Sequence, residues 1–415
     1  MTSSTLPAAA LPAAAASARS PGRDHAPATS LPPLRLVLIV TSLVGLLHAY
    51  IGLRLLPALD AGGAGTAIGI VLLALCTLLI PFGLLARTLQ GRMKQGLASA
   101  LTWAGLIAGG FASSLLVLTV VRDLLLLPAM AVLPGATLLA AARYSAWGVP
   151  LLALGFTAIG LCNARRRPQV VEVDVRLRDL PAALHGFTIT QISDIHVGPT
   201  IKRAFLERIV DQVNSLESDL VAITGDLVDG SVAELARHVE PLARLQARHG
   251  SFFVTGNHEY YSGAAAWVGE LRRLGLVVLQ NQHVVLQHQG SALVLAGVTD
   301  YSAHHFDERQ RSDPQAALVG APNNAVPKIL LAHQPRSAAA AQAAGFHLQL
   351  SGHTHGGQFL PWNFFVRLQQ PFTAGLHRLQ DLWVYTSRGT GYWGPPKRLG
   401  APAEITRLRL LPAGD

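Results

Sequence analysis

The chain has 415 residues, half of them hydrophobic, with two cysteines and a formal net charge of +9. That apolar share is too high for an ordinary soluble protein and calls for a membrane component, while Cys76 and Cys162, both in apolar stretches, exclude a disulfide framework or a thiolate-held zinc elsewhere. The charge excludes a nucleic-acid partner by its position: nine Lys/Arg oppose three Asp/Glu up to Asn163, and Arg165, Arg166 and Arg167 supply the whole excess beyond it, so the basic balance is juxtamembrane.

Residues 1–33, rich in Ala, Pro and Ser and without apolar periodicity, are expected to form a disordered tail. The first apolar run starts too far into the chain, and lacks the small-residue cleavage site, for a signal peptide; it reads as an anchor. Four charge-free runs, 36–53, 61–86, 95–121 and 144–163, are long enough to cross a bilayer as helices. A fifth, 124–142, carries Pro128, Pro134 and Gly135, which favours a re-entrant or interfacial piece over a plain span. Arg19, Arg23 and Arg35 precede the first run, Arg87, Arg92 and Lys94 separate the second from the third, and the triple arginine follows the last. Four spans put all three clusters on one side, which predicts a multi-pass protein of the inner (plasma) membrane with both ends cytoplasmic; a fifth span would move the polar half outside. With no acidic or basic residue in the four runs, a transport path is not expected. The domain reading is a helical region over 34–164 followed by an α/β domain over 165–415.

From residue 168 onward strands and helices alternate. Residues 170–175 and 187–193 read as strands, 201–214 as an amphipathic helix, 220–224 as a buried strand, 232–247 as helix, 252–255 as strand and 264–274 as helix. Short strands are expected around Val277, Val284 and Leu293, then over 328–332, 347–351, 383–387 and 405–411, with an alanine-rich helix over 337–344. This is a layered α/β domain.

Five of these strands end in polar clusters: SDIHVG from Ser193, GDLVDG from Gly225, GNHEYY from Gly256, AHQP from Ala332 and SGHTHGG from Ser351. Ligand sites of α/β sheets gather beyond the carboxyl ends of strands. Asp194, His196, Asp226, Asn257, His333, His353 and His355 offer carboxylate, amide oxygen and imidazole but no thiolate, a set suited to manganese, iron or zinc. Seven donors exceed one ion's needs. Shared by two ions with a bridging carboxylate, they would activate a water and clamp both oxygens of an in-line displacement at phosphorus. An extended segment would aim His353 and His355 the same way, and the glycines around them would keep the centre uncrowded.

In this order, Asp194-x-His196, Gly225-Asp226-x-x-Asp229, Gly256-Asn257-His258-Glu259, His333 and Gly352-His353-x-His355 resemble the five-block signature of the calcineurin-like metallophosphoesterases, from about Phe187 to Leu411. The HTHGGQ variant and the late YTSRGTGYWGPPKRLGAPAEI resemble the membrane-associated bacterial branch with YkuE and YaeI type phosphodiesterases, and transmembrane proteins with a metallophosphoesterase domain. The resemblance implies a four-layer α/β/β/α sandwich and two divalent metal ions. By position, Asp194, His196 and His355 would hold the first ion, Asn257, His333 and His353 the second, and Asp226 would bridge; His258 would be the catalytic histidine that stabilises charge or protonates the leaving oxygen. Asp229 and Glu259 would orient His258 or a ligand imidazole. Arg388 could pair with a phosphate oxygen, and Tyr392 and Trp393 could pack against the leaving group; Tyr260, Tyr261 and Trp362 are further candidates for the cleft wall. The implied activity is hydrolysis of a phosphodiester or pyrophosphate, with lipid-linked substrates included because the strand at Val170 begins a few residues after the last span. UDP-2,3-diacylglucosamine is one such pyrophosphate. A catalytically silent membrane scaffold is the alternative of another class.

Overall fold

Apolar sequence without water to compete for its backbone groups folds as helix. The computed structural model, which describes residues 34–88, 93–322 and 324–414, opens with four such helices: α1 (Leu34–Leu59), α2 (Gly62–Thr88), α3 (Gln95–Val132) and α4 (Gly135–Arg165). All four are long and apolar enough to cross a membrane, and Leu38, Leu72, Leu125 and Leu151 are among the side chains they leave exposed. Ile51, Leu55, Leu115, Ala146, Val149 and Ala153 pack inside the bundle. The tail expected over 1–33, with Arg19 and Arg23, and Arg92 lie outside the described residues.

The run 124–142 is not an element of its own. Residues 124–132 complete α3, Leu133 and Pro134 form the turn, and 135–142 open α4. A proline just ahead of a helix removes no intrahelical hydrogen bond, so Pro134 sets a boundary instead of breaking a span. The helices also run past the charge-free stretches and take in Arg54, Arg122, Asp123 and Arg143. Asp123 accepts hydrogen bonds from the Tyr50 hydroxyl and Arg54 Nε, both at 2.7 Å, and from Arg122 Nη1 at 3.2 Å, while Arg122 Nε donates to Ser145 Oγ at 3.0 Å. Arg54, Arg122 and Asp123 are thus paired with one another, and Arg143 pairs with Asp60 at 3.5 Å.

Beyond α4 the strands form two six-stranded sheets. The first has the order β1 (Gln169–Leu177), β12 (Glu404–Pro412), β2 (Thr188–Ile192), β3 (Leu220–Ile223), β4 (Ser251–Phe253) and β5 (Val277–Val278); the second has β10 (Gly375–Leu379), β11 (Leu382–Thr386), β9 (Leu348–Ser351), β8 (Lys328–Leu331), β7 (Ser291–Gly297) and β6 (Gln282–His288). Strand periodicity distributes the core. Leu220 and Ala222 point between the sheets toward Leu295, Ile329 and Leu350, whereas Val221 and Ile223 meet the helices on the outer face. Those helices are α5 (Arg203–Asn214), α6 (Val232–Val239) and α8 (Ala264–Arg273), the last two preceded or followed by short α7 (Asn257–Ser262); α9 (Ala338–Ala343) covers the second sheet through Ala338 and Ala341. The result is an α/β/β/α sandwich. The helix expected over 232–247 stops at Val239 and gives way to a 3₁₀ turn, Glu240–Arg244, at Pro241, whose ring cannot continue an α-helical ladder.

Candidate metal centre

The parallel pairs β2–β3, β3–β4 and β8–β9 run in register, so their carboxyl ends present successive loops side by side. Backbone bonds fasten these loops: Asp194 N–H to Gly225 O (3.0 Å), His196 N–H to Asp226 O (3.1 Å), Asp229 N–H to Val197 O (2.8 Å). Asp194, His196, Asp226, His353 and His355 all have φ between 51° and 70°. Left-handed backbone at a residue other than glycine costs about 1–2 kcal/mol, and such strain is held where surrounding structure over-determines it, typically at a functional site. Two glycines make the approach possible. A Cβ on Gly256 would lie 2.2 Å from Asp226 Oδ1, and one on Gly352 would lie 2.2 Å from Asp194 Oδ2.

The extended conformation expected across His353 and His355 is not found. β9 ends at Ser351, and the chain turns at once, with His355 opening a 3₁₀ turn. The Asp194 carboxylate fixes that turn by accepting the His353 backbone N–H at 2.9 and 3.1 Å.

The donors converge in two neighbouring groups. One joins Asp194, His196 and His355, the other Asp226, His333 and His353, with the donor atoms of each group within 4.8 Å of one another, and a third set meeting the same limit, His196, Asp226 and His258, links the two. His196 Nε2 and His355 Nε2 stand 3.0 Å apart, His333 Nε2 and His353 Nδ1 3.2 Å, and His333 Nε2 and Asp226 Oδ2 3.2 Å. Asp226 also lies 3.8 Å from His196 Nε2, which puts its carboxylate between the groups. The Asn257 Oδ1 is buried and has no hydrogen-bond partner. A buried amide oxygen without a donor costs about 1–3 kcal/mol, so Asn257 Oδ1 is a candidate cation ligand. The tautomers fit as well: His333 donates from Nδ1 to Thr224 O at 2.7 Å, leaving Nε2 free to ligate.

A profile described as calcineurin-like phosphoesterase matches residues 187–357. Over 268 residues the chain is 39% identical to a Helicobacter pylori protein named as an uncharacterized metallophosphoesterase, covering 64% of this chain and 70% of that one. The chain belongs to the calcineurin-like metallophosphoesterases. It is also 40% identical over 275 residues to a Danio rerio transmembrane protein with metallophosphoesterase domain, covering 63% of each, and 29% identical over 252 residues to the Bacillus subtilis metallophosphoesterase YkuE, covering 58% of this chain and 85% of that one. The match thus spans a little over three fifths of the Danio rerio protein's length.

Around the donors of this metallophosphoesterase, Asp229 faces two imidazoles, His196 Nδ1 at 3.2 Å and His258 Nδ1 at 2.6 Å. Burial works against its ionisation, but those two histidines hold its carboxyl below the usual carboxylate range. Burial likewise pushes the His258 imidazole down, yet the Asp226 charge and the Asp229 hydrogen bond prevail and raise it to about 9. Glu259 does not touch His258: its carboxylate accepts the backbone N–H groups of Gly256 (2.7 Å), Leu227 (2.8 Å) and Asp226 (3.0 Å), tying two donor loops together.

The residues expected at the substrate divide. Trp393 stands at the rim, 51% exposed, its ring centroid 5.8 Å from that of His258, and the Tyr261 ring lies 5.4 Å from that of His258. Arg388 turns to Glu404, which accepts from its Nη1 at 2.8 Å. Tyr392 is buried in the core under the first sheet, its hydroxyl accepting from Arg165 at 3.3 Å. Trp362 faces α3, and Tyr260 reaches Thr255 and Gln310. Sequence reasoning passed over Arg398, which is buried and brings Nη2 to 3.3 Å from His355 Nδ1 while donating to the carbonyls of Gly391 and Ala401. Its signal was weak: one of two adjacent cations in an apolar Gly/Pro loop.

Proposed function

We propose that the chain is a membrane-anchored phosphohydrolase that cleaves a phosphodiester or pyrophosphate with two divalent ions, manganese, iron or zinc. The observation that carries this reading is the pair of donor groups flanking one carboxylate, Asp226, and the buried, unsatisfied Asn257 Oδ1 supports it. Asp194, His196 and His355 would hold one ion, Asn257, His333 and His353 the other, and Asp226 would contribute to both. Such a pair supplies an activated water and neutralises charge on the phosphoryl oxygens. His258, whose imidazole Asp226 and Asp229 raise above its ordinary range, gives a proton to the departing oxygen, and Asp229 keeps its ring turned to the cleft. Glu259 keeps the Asp226 and Asn257 loops at a fixed separation. The full set of seven donors disfavours a silent scaffold.

In this reading residues 34–164 anchor and 165–415 catalyse, on the cytoplasmic face of the inner membrane. Arg35, Lys94 and Arg165–Arg167 at one end of a four-helix bundle support that side, and a lipid-linked pyrophosphate such as UDP-2,3-diacylglucosamine is accessible only from there. A carboxyl-terminal reporter that becomes active only in the periplasm would remove it.

Manganese-loaded protein should hydrolyse bis-p-nitrophenyl phosphate, and Asp226→Asn and His258→Ala should each lower the rate by about 10²-fold or more. Hydrolysis undiminished in both variants would overturn the assignment.

A further inference from the structure

Immediately after the HTHGG turn the chain leaves the sandwich and exposes a run of large apolar side chains: Leu360, Trp362, Phe364, Phe365 and Leu368 are 50, 48, 62, 53 and 82% exposed. Their segment includes α10 (Trp362–Val366) and is packed on the metal-ligand turn, since a Cβ on Gly357 would lie 2.2 Å from the Asn363 Cα. So much contiguous apolar surface on one short segment marks a contact with something apolar.

Two observations identify what it contacts. The Trp362 indole donates to Ser113 Oγ on α3 at 3.3 Å. Ser113 lies ten residues, or about 15 Å along a helix, beyond Trp103, the ring over which the juxtamembrane Arg165 is stacked. The segment therefore reaches past the arginine level, along the stretch of α3 that leads to its exposed apolar residues Val120 and Val121. The neighbouring loop goes equally deep: Lys397 Nζ donates to Gly110 O at 2.9 Å and also bonds Ser114 Oγ, and the Arg398 N–H donates to Gly160 O on α4 at 2.9 Å. Between the two, Gln358 donates to the carbonyls of Trp393 (2.9 Å) and Pro395 (3.1 Å) and accepts the Trp393 N–H (2.8 Å), so the membrane-depth segments and the Trp393 rim beside His258 form one hydrogen-bonded unit.

We propose that residues 360–368 form a lip embedded in the lipid bilayer beside α3, and that the metal centre takes a phosphoester carried on a membrane lipid, which slides to it along this lip. The delivery role rests on the phosphoesterase reading above; the bilayer contact does not.

Two measurements on the full chain in phospholipid nanodiscs test it. In a Cys76→Ala/Cys162→Ala background, bimane attached at Phe365→Cys should be quenched by doxyl groups on the lipid acyl chains and protected from aqueous iodide. Quenching by iodide with none by doxyl lipid would overturn the contact. With manganese bound, Phe364→Ser/Phe365→Ser/Leu368→Ser should lower turnover of nanodisc-inserted hexadecyl p-nitrophenyl phosphate about tenfold and leave soluble bis-p-nitrophenyl phosphate within about twofold. Equal losses on both substrates, or no change on either, would overturn the delivery role. Failure of the unmodified protein to hydrolyse either substrate would overturn the phosphoesterase reading and delivery with it, while the quenching still decides the contact.

Discussion

Asp229 is the residue on which two others depend, because one of its oxygens faces both His196 and His258. His258 is raised to about 9 by Asp226 and Asp229 against the effect of burial. A histidine raised in this way is protonated below that value and loses its proton as pH rises through it, so the acid step fails on the alkaline side. Bound dications repel the imidazolium and can only lower the value. The pH–rate profile should therefore have an alkaline limb at or below pH about 9, and Asp229→Asn should shift that limb to lower pH while reducing the rate by roughly 10–100-fold. An unmoved limb in Asp229→Asn would show that the carboxylate does not act through His258. The donors were legible in the sequence because metal ligation demands particular side chains at strand ends. Arg388 and Tyr392 were not separable from Arg398 by the same means: all three lie in one Gly/Pro loop, and the ion pair of Arg388 with Glu404 and the burial of Tyr392 depend on tertiary partners that no spacing rule reports.

At the scale of elements, the strands announced themselves as short apolar runs, five of which ended in polar clusters, but which residues face the other sheet and which face the helices was seen only in the fold. The turn at His353 and His355 could not be read this way, since left-handed backbone at histidine is set by the Asp194 carboxylate it meets across the fold. The 124–142 run misled for a related reason: composition alone does not say whether a proline sits inside a helix or just before one. Helix contacts are more predictable once geometry is known. Gly83 and Gly105 bring α2 and α3 so close that a Cβ on either would be 2.7 Å from the other's Cα. Gly105→Leu should therefore force the two helices apart at a cost of about 1–3 kcal/mol, seen as a lower thermal midpoint in detergent. An unchanged midpoint would mean that the helices do not pack at this crossing.

The whole molecule joins an apolar bundle to a sandwich whose outward loops are anchored in that bundle. Half of the architecture was visible as hydropathy and half as motif order, but their junction was not: the Lys397 and Trp362 contacts link positions more than two hundred residues apart. The junction sets where the centre opens, while its chemistry rests on the seven donors. Crystals of the manganese-loaded protein, measured at the manganese absorption edge, address that chemistry most directly. Two anomalous peaks about 3.5–4 Å apart are expected, one against Asp194, His196 and His355, one against Asn257, His333 and His353, with Asp226 touching both. A single peak, or none at these side chains, would contradict it.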